Sequence, residues 1–273
     1  MSTLENSQAL KQGQYANASR FNARIQLHAR CASNQYPWPL WVFDQLEKRP
    51  GMKILELGCG TGLLWQVNGT RIPADWQITV SDFSEGMLAE AQKNLQAVRA
   101  ALDFAVVDAQ SIPHPDRSFD AVIANHLLYH LPDLNRALAE MARVLKSGGS
   151  FYASTIGMRN MLEMKELVRE FTGNDNYQAV LGMVESNFSL DNGAAHLGPH
   201  FPAVRIARYE NSLVINDPEL LTEYILSCND LRPGVVVLEA ARAEAFKQYA
   251  AGLIQARGPL RITTESGMFI CGK

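Results

Sequence analysis

Lys53–Gly62 reads KILELGCGTG. A short apolar run leads into Glu56, and glycines then fall at positions 58, 60 and 62. Glycine reaches backbone conformations closed to other residues and lets a ligand come close to the main chain. Free amides at the start of a following helix donate to polar ligand groups. The stretch therefore predicts a buried strand, a tight glycine loop and a helix, with a ligand at the strand's carboxyl end. A nicotinamide-binding turn spaces its glycines GxGxxG. Here the third glycine comes one residue early and Leu63 follows it, which argues against that cofactor.

Outward from this loop, short apolar runs alternate with amphipathic ones. MKILEL, WQITVS, LDFAVVD, FDAVIAN and GSFYAST read as strands, and LLWQV, EGMLAEAQKNLQAV and LNRALAEMARVL as helices. Ser84 is placed to cap the second of these helices. Strands that are apolar throughout are buried on both faces, and strand–helix alternation builds a parallel sheet covered on both sides. The expectation is a Rossmann-like, doubly wound α/β fold with a seven-stranded, mostly parallel sheet. Upstream, two helix-like stretches over about 18–32 and 39–47 suggest an N-terminal helical lid within residues 1–50, preceded by a polar arm over 1–14. The cofactor-binding core spans 51–156. The alternation stops over 157–202, which reads as a helical cap inserted after the fifth strand. Residues 203–273 are expected to complete the core sheet, with VRIARYENSLVI resuming a strand pattern and LRITTESGMFICG as the closing strand, with a turn near Glu265–Gly267.

Composition narrows the function. The 273 residues are 47% hydrophobic and carry a formal charge of −3, so a sizeable core can form but no basic stripe marks a nucleic-acid surface. No apolar run reaches the length needed to span a bilayer, and the N-terminus lacks an apolar signal core, so a cytoplasmic location is expected. Cys31, Cys59, Cys228 and Cys271 are scattered without a CxxC pair, the pattern of separate reduced thiols.

In doubly wound sheets the ligand sits beyond the strands' carboxyl ends. There the sequence offers Asp82, suited to a ribose diol, Asp108, suited to an adenine amino group, and the run NHLLYH after the fourth strand. KILELGCGTG, SDFS, VDAQSIPHPDRSFDAVIANHLLYHLPD and LKSGGSFYAS together resemble a class I S-adenosylmethionine-dependent methyltransferase. Within it they are similar to the broad small-molecule branch (methyltransferase type 11/25-like), over about residues 40–156. The resemblance implies S-adenosyl-L-methionine as cofactor. Glu56 would approach the methionine amino group, and Gly58, Cys59, Gly60 and Gly62 would wrap the methionine and ribose. Asp82 would hold the ribose hydroxyls, and Phe83 and Met87 would flank the adenine. Asp108 and Ala109 would meet the adenine edge with Gln110 beside them, and Asn125 would approach the sulfonium.

The implied reaction is in-line transfer of a methyl group to a small-molecule acceptor, in which alignment supplies most of the acceleration. His126 and Tyr129 are the candidate catalytic or orienting groups. Tyr36, Trp38, His130, Met161, Met164 and His200 are candidate acceptor contacts; Met161 and Met164 share a helix face with Val168 and Phe171. Arg20, Arg24 and His28 share another helix face that either reaches an acidic group or faces solvent. His126 and His130 have metal-chelating spacing but no acidic partner between them, so no metal is expected. The insertion carries six acidic against three basic residues, and strand four lacks an (N/D)PPY end, both against a nucleic-acid acceptor. A non-catalytic S-adenosylmethionine-binding protein is the main alternative, with a nicotinamide-dependent oxidoreductase behind it.

Overall fold

The computed structural model describes residues 19–273; the polar arm expected over 1–14 lies outside them. The chain divides into two compact units. The larger holds residues 36–157, 185–209 and 266–273, and the smaller holds, of the described residues, 19–35, 158–184 and 210–265.

The larger unit is built on seven strands: β1 Lys53–Leu57, β2 Gln77–Asp82, β3 Ala101–Val106, β4 Phe119–Asn125, β5 Leu145–Ile156, β6 Ala203–Tyr209 and β9 Ser266–Gly272. Their order is β3-β2-β1-β4-β5-β9-β6. The first five are parallel, and β9 runs antiparallel to both β5 and β6. The chain order reverses at β1, which places β1 and β4 side by side with Glu56 opposite Ile123.

Side-chain alternation explains the burial on both faces. Leu55, Leu57, Val122 and Ala124 enter one core with Ala137, Leu138, Met141 and Val144 of α5 (Leu134–Val144). Ile54, Ala121 and Ile123 enter the other with Val42, Phe43, Trp65 and Trp76. Each large apolar side chain removed from water in this way contributes about 1.5–3 kcal/mol. Three helices serve the second face: α2 (Trp38–Gln45), α3 (Leu63–Asn68) and α4 (Glu85–Asn94). Ser84 caps α4 as expected, its hydroxyl accepting from the Met87 amide at 3.3 Å.

The smaller unit gathers α1 (Ser19–Cys31), α6 (Leu162–Thr172), most of α7 (Asn176–Asn187), α9 (Pro218–Ser227) and α10 (Ala243–Arg257). They surround a two-stranded antiparallel sheet of β7 (Ser212–Ile215) and β8 (Leu260–Thr263). Leu27, Leu213, Leu221, Ile225, Phe246 and Ile262 form its core.

Several expected boundaries need correction. VRIARYENSLVI is two strands, because the polar pair Glu210–Asn211 interrupts it: β6 joins the large sheet and β7 the small one. LRITTESGMFICG is likewise split, its first part pairing with β7 and only β9 with the large sheet. Residues 203–273 therefore do not complete the core sheet as one piece. The 157–202 insertion also divides. α6 packs in the smaller unit, whereas Phe188, Leu190, Leu197 and Phe201, around α8 (Gly193–Leu197), are buried in the larger. Residues 1–50 divide similarly, α1 packing in the smaller unit and α2 in the larger.

Candidate active site

The site lies within the larger unit, at the carboxyl ends of β1, β2 and β4. Gly58, Gly60 and Gly62 all have left-handed backbones, with φ of 70°, 57° and 78°. At Gly62 a side chain would be strained twice, by φ and by a Cβ 2.9 Å from Leu95. The loop is tied down from β2. The Cys59 amide donates to the Ser81 carbonyl at 2.9 Å, and the Gly60 amide donates to Asp82 Oδ2 at 2.9 Å. Asp82 Oδ1 accepts from the Ser84 amide at 2.8 Å. Asp82 thus fastens the glycine loop to the start of α4.

Behind the loop sits a buried acid. Glu56 is 2% exposed, and its Oε2 accepts from the Trp65 indole at 2.6 Å. Its Oε1 accepts from the Asn125 amide at 3.5 Å. Burial pushes the carboxyl up to about 7; the Trp65 and Asn125 hydrogen bonds pull it back, and the Asp82 charge adds to the rise. The Asn125 Oδ1 atom is buried and has no hydrogen-bond partner. A half-satisfied buried carboxyl beside an orphaned amide oxygen is a pair of acceptors suited to a ligand ammonium group. Trp65 was not expected here, since LLWQV carries only a helical signal; an indole one turn past a glycine loop, nine residues after a strand-end glutamate, is the clue.

Asp108 Oδ1 accepts from the Gln110 amide at 2.9 Å and from its side chain at 3.3 Å. Gln110 Oε1 in turn accepts from the Asp133 amide, and Ala109 is buried. Met87 is buried, while Phe83 stands 41% exposed next to Asp82. Cys59 is buried, and burial, with the Glu56 and Asp82 charges, pushes its thiol far up, which disfavours the nucleophilic thiolate.

Beyond β4 the backbone of His126 turns left-handed, with φ of 48°, and its amide donates to Ser154 Oγ at 3.0 Å. Its ring lies 5.3 Å from Trp38 and 6.3 Å from Tyr129, which is edge-on to His130 at 4.6 Å. Trp38 also stacks on Trp41 at 5.0 Å and meets Tyr209 at 5.2 Å. Tyr36 bonds Asp44 through its hydroxyl, and its carbonyl accepts from the Tyr209 hydroxyl at 2.6 Å. The structure thus joins Trp38, His126, Tyr129 and His130 in one aromatic run, and hydrogen bonding ties Tyr36 to it through Tyr209.

The remaining candidates lie elsewhere. His200 Nε2 pairs with Asn135 Oδ1 at 2.8 Å on the exposed start of α5. Met161 and Met164 are 1% and 0% exposed in the core of the smaller unit, so they pack that unit and do not present an open wall. In the same unit Arg24 donates to the Ser227 carbonyl at 2.9 Å, and His28 lies edge-on to Tyr224 at 6.2 Å. Desolvation lowers His28 to about 4, which leaves it neutral. The Arg20 side chain is outside the description.

A β3-β2-β1-β4-β5-β9-β6 sheet with a clamped glycine loop after β1 and a carboxylate after β2 defines the Rossmann-like α/β class that holds an adenosyl cofactor at its carboxyl edge. Residues 55–153 match the sequence family described as a methyltransferase domain. The chain is 37% identical over 114 residues to a demethylmenaquinone methyltransferase from Desulfitobacterium hafniense, a match covering 41% of this chain and 45% of that protein. The chain thus spans about half the length of the curated relatives it matches. Among solved structures, phosphoethanolamine N-methyltransferase 2 from Haemonchus contortus, in complex with S-adenosyl-L-methionine, shares 16% identity and a TM-score of 0.61. That match covers 98% of this chain and 60% of that one. The [4+2]-cyclase SpnF shares 19% identity and a TM-score of 0.52, covering 86% and 79%. At these identities the likeness is one of fold.

Proposed function

We propose that the protein binds S-adenosyl-L-methionine and transfers its methyl group to a small-molecule acceptor. The observation that carries this reading is the acceptor pair of Glu56 and Asn125 Oδ1 beside a glycine loop closed onto Asp82. When bound, the cofactor supplies a methyl group on a positively charged sulfur. Glu56 and Asn125 hold the cofactor's ammonium group, Asp82 the ribose hydroxyls, and Phe83 and Met87 the adenine faces, with Asp108, Ala109 and Gln110 at its edge.

The chain's own contribution is alignment. The aromatic run from Trp41 through Trp38 and His126 to Tyr129 offers stacked ring faces, which favour a planar, largely apolar acceptor. A demethylated quinone, of the kind named for the Desulfitobacterium relative, is the first acceptor to test, in its oxidised and reduced forms. His126 and Tyr129 orient the acceptor or take up its proton, and Tyr36, Trp38 and His130 flank it. Among the described residues no helix is long and apolar enough to cross a membrane, and a cytoplasmic location with no nucleic-acid partner fits the near-balanced charge.

Calorimetry with S-adenosylmethionine, its demethylated product and NAD tests the cofactor, and mass spectrometry of quinol and other planar acceptors tests the transfer. Tight binding of the two adenosyl compounds without NAD binding is expected, together with a gain of one methyl mass on an acceptor. Preference for NAD would overturn the reading. Cofactor binding with no methyl transfer to any acceptor would reduce it to a binding protein.

A further inference from the structure

The opposite edge of the large sheet carries a second recess. Lys53, Gln77, Thr79, Asp103, Lys146 and the 114–119 loop line a volume of about 460 Å³. These residues stand at or near the amino ends of β1 to β5, across the length of β1 from the glycine loop. At ~3.3 Å per residue the two edges are on the order of 15 Å apart.

The recess is organised for charge. Lys146 is taken by Asp120 at 2.8 Å. Among the described residues, neither the Lys53 ammonium nor the Arg117 guanidinium is in an ion pair. The third group is His114. Its Nε2 is buried and has no hydrogen-bond partner, and its ring is fixed edge-on to Phe119 at 4.9 Å. A buried ring nitrogen without a partner costs free energy until something bonds it.

The loop that carries these groups is held rigidly. Arg143 donates to the carbonyls of His114 at 2.8 Å and Ile112 at 2.9 Å, and to Asp116 at 2.8 Å. The Arg117 and Ser118 amides donate to the Arg143 and Val144 carbonyls at 3.0 and 2.8 Å. Arg117 itself has φ of 55°, a left-handed conformation that is strained for a long side chain. Backbone strain over-determined by its surroundings is characteristic of ligand sites. The other side of the recess is uncharged or acceptor in character: Gln77, Thr79 and the Asp103 carboxylate suit hydroxyl groups.

We propose that this recess binds a small phosphorylated polyol, its phosphoryl group on Lys53 and Arg117 with the His114 ring in the wall beside it, and its hydroxyls toward Asp103, Gln77 and Thr79. Two free cations meet a phosphoryl dianion, and the single free carboxylate repels a second anion while accepting from hydroxyls. The site is separate from the adenosyl cofactor's and does not depend on the methyltransferase reading.

Calorimetry of the full chain with ribose 5-phosphate, inorganic phosphate and ribose tests it. Ribose 5-phosphate should bind with a Kd below about 1 mM, roughly tenfold tighter than either fragment. Lys53→Gln combined with Arg117→Asn, asparagine being tolerant of the left-handed backbone, should weaken it at least about tenfold. That variant should leave the melting temperature and the affinity for S-adenosylhomocysteine unchanged. Lys93→Gln, which removes an exposed cation on α4, should change nothing. If the double variant does not fold, His114→Gln and the phosphorus chemical shift of ribose 5-phosphate titrated with the wild type carry the test. The proposal is overturned if no binding is seen at about 5 mM. It is also overturned if inorganic phosphate or duplex DNA binds as tightly as ribose 5-phosphate, or if Lys93→Gln weakens binding equally.

Discussion

Asp82 is bonded to Gly60: the glycine amide donates to carboxylate Oδ2 at 2.9 Å, so the strand-two acid holds the strand-one loop in shape. This contact gives Asp82 a duty toward its own chain beside the one proposed toward a ribose. Asp82→Ala removes both. Hydrogen bonds to a charged group are worth about 1.5–3 kcal/mol each. Cofactor affinity should fall by at least roughly tenfold, with a lowered melting temperature. Asp82→Asn, which keeps one acceptor oxygen, should restore most of the stability and less of the affinity. Calorimetry beside thermal melts reads both, and unchanged affinity in folded Asp82→Ala would place the ribose elsewhere.

Glu56 makes cofactor binding depend on pH. Burial raises its carboxyl to about 7, whereas the unfolded chain titrates at the ordinary carboxylate value. A cation bound beside it favours the ionised form. Below about pH 7 binding must expel a proton, so affinity should fall as pH drops and level off above it. Glu56→Gln should flatten that profile. The same shift acts on stability with the opposite sense. Between the unfolded value and about 7 the folded state binds the extra proton, so this group's contribution declines as pH rises through that window. An affinity profile in wild type as flat as that of Glu56→Gln would show that Glu56 does not meet the ammonium group.

Trp65 supports Glu56 from the side away from Asn125. Trp65→Phe deletes the 2.6 Å hydrogen bond and leaves a more poorly solvated acid. The loss should be about 1–3 kcal/mol in stability. The pH midpoint of cofactor binding should move upward, which simple loss of packing would not produce. Denaturant melts and the pH series together separate the two effects.

Trp38 joins His126 to Trp41 and Tyr209. Trp38→Ala removes three ring contacts, each worth about 0.5–1.5 kcal/mol. Acceptor KM should rise while cofactor affinity stays within about twofold, and Trp38→Phe should recover part of the loss. A change confined to cofactor affinity would detach the aromatic run from the acceptor.

Met164 is a packing residue of the smaller unit. Met164→Ala should cost about 2–5 kcal/mol, with turnover per folded molecule retained. A turnover collapse without destabilisation would return this side chain to the acceptor pocket.

The legible part of this molecule is the part that repeats a physical rule. A short apolar run such as Ala121–Ala124, bounded by Asp120 and Asn125, fits a strand covered on both faces. Glycines 58, 60 and 62 announced a loop whose left-handed backbone other residues adopt only under strain. The Glu56–Trp65 bond was not legible, because it depends on how a helix face meets a strand end nine residues earlier. The break in LRITTESGMFICG near Glu265–Gly267 was legible, but the sheet that each half enters was not. Leu260–Thr263 and Ser266–Gly272 carry the same strand texture, and only their distant partners β7 and β5 decide which sheet each enters. Met161 and Met164 showed an apolar helix face, and a periodic pattern does not distinguish a core from a pocket wall.

The antiparallel strand β9 has a consequence for how the molecule assembles. It lies between β5 and β6, and Ser154 pairs with Met268 across roughly 110 residues of chain. The parallel half from β3 to β5 can form from neighbouring segments. The β9–β6 half must wait for a long loop to close, and the entropy of that closure slows folding without weakening the finished sheet. Refolding should therefore proceed in two phases: an early intermediate with the glycine loop in place and the β5 edge open, then a slow phase that seals it. Until that edge is sealed, the intermediate exposes an unpaired, apolar strand, and chain–chain association will compete with folding at high protein concentration.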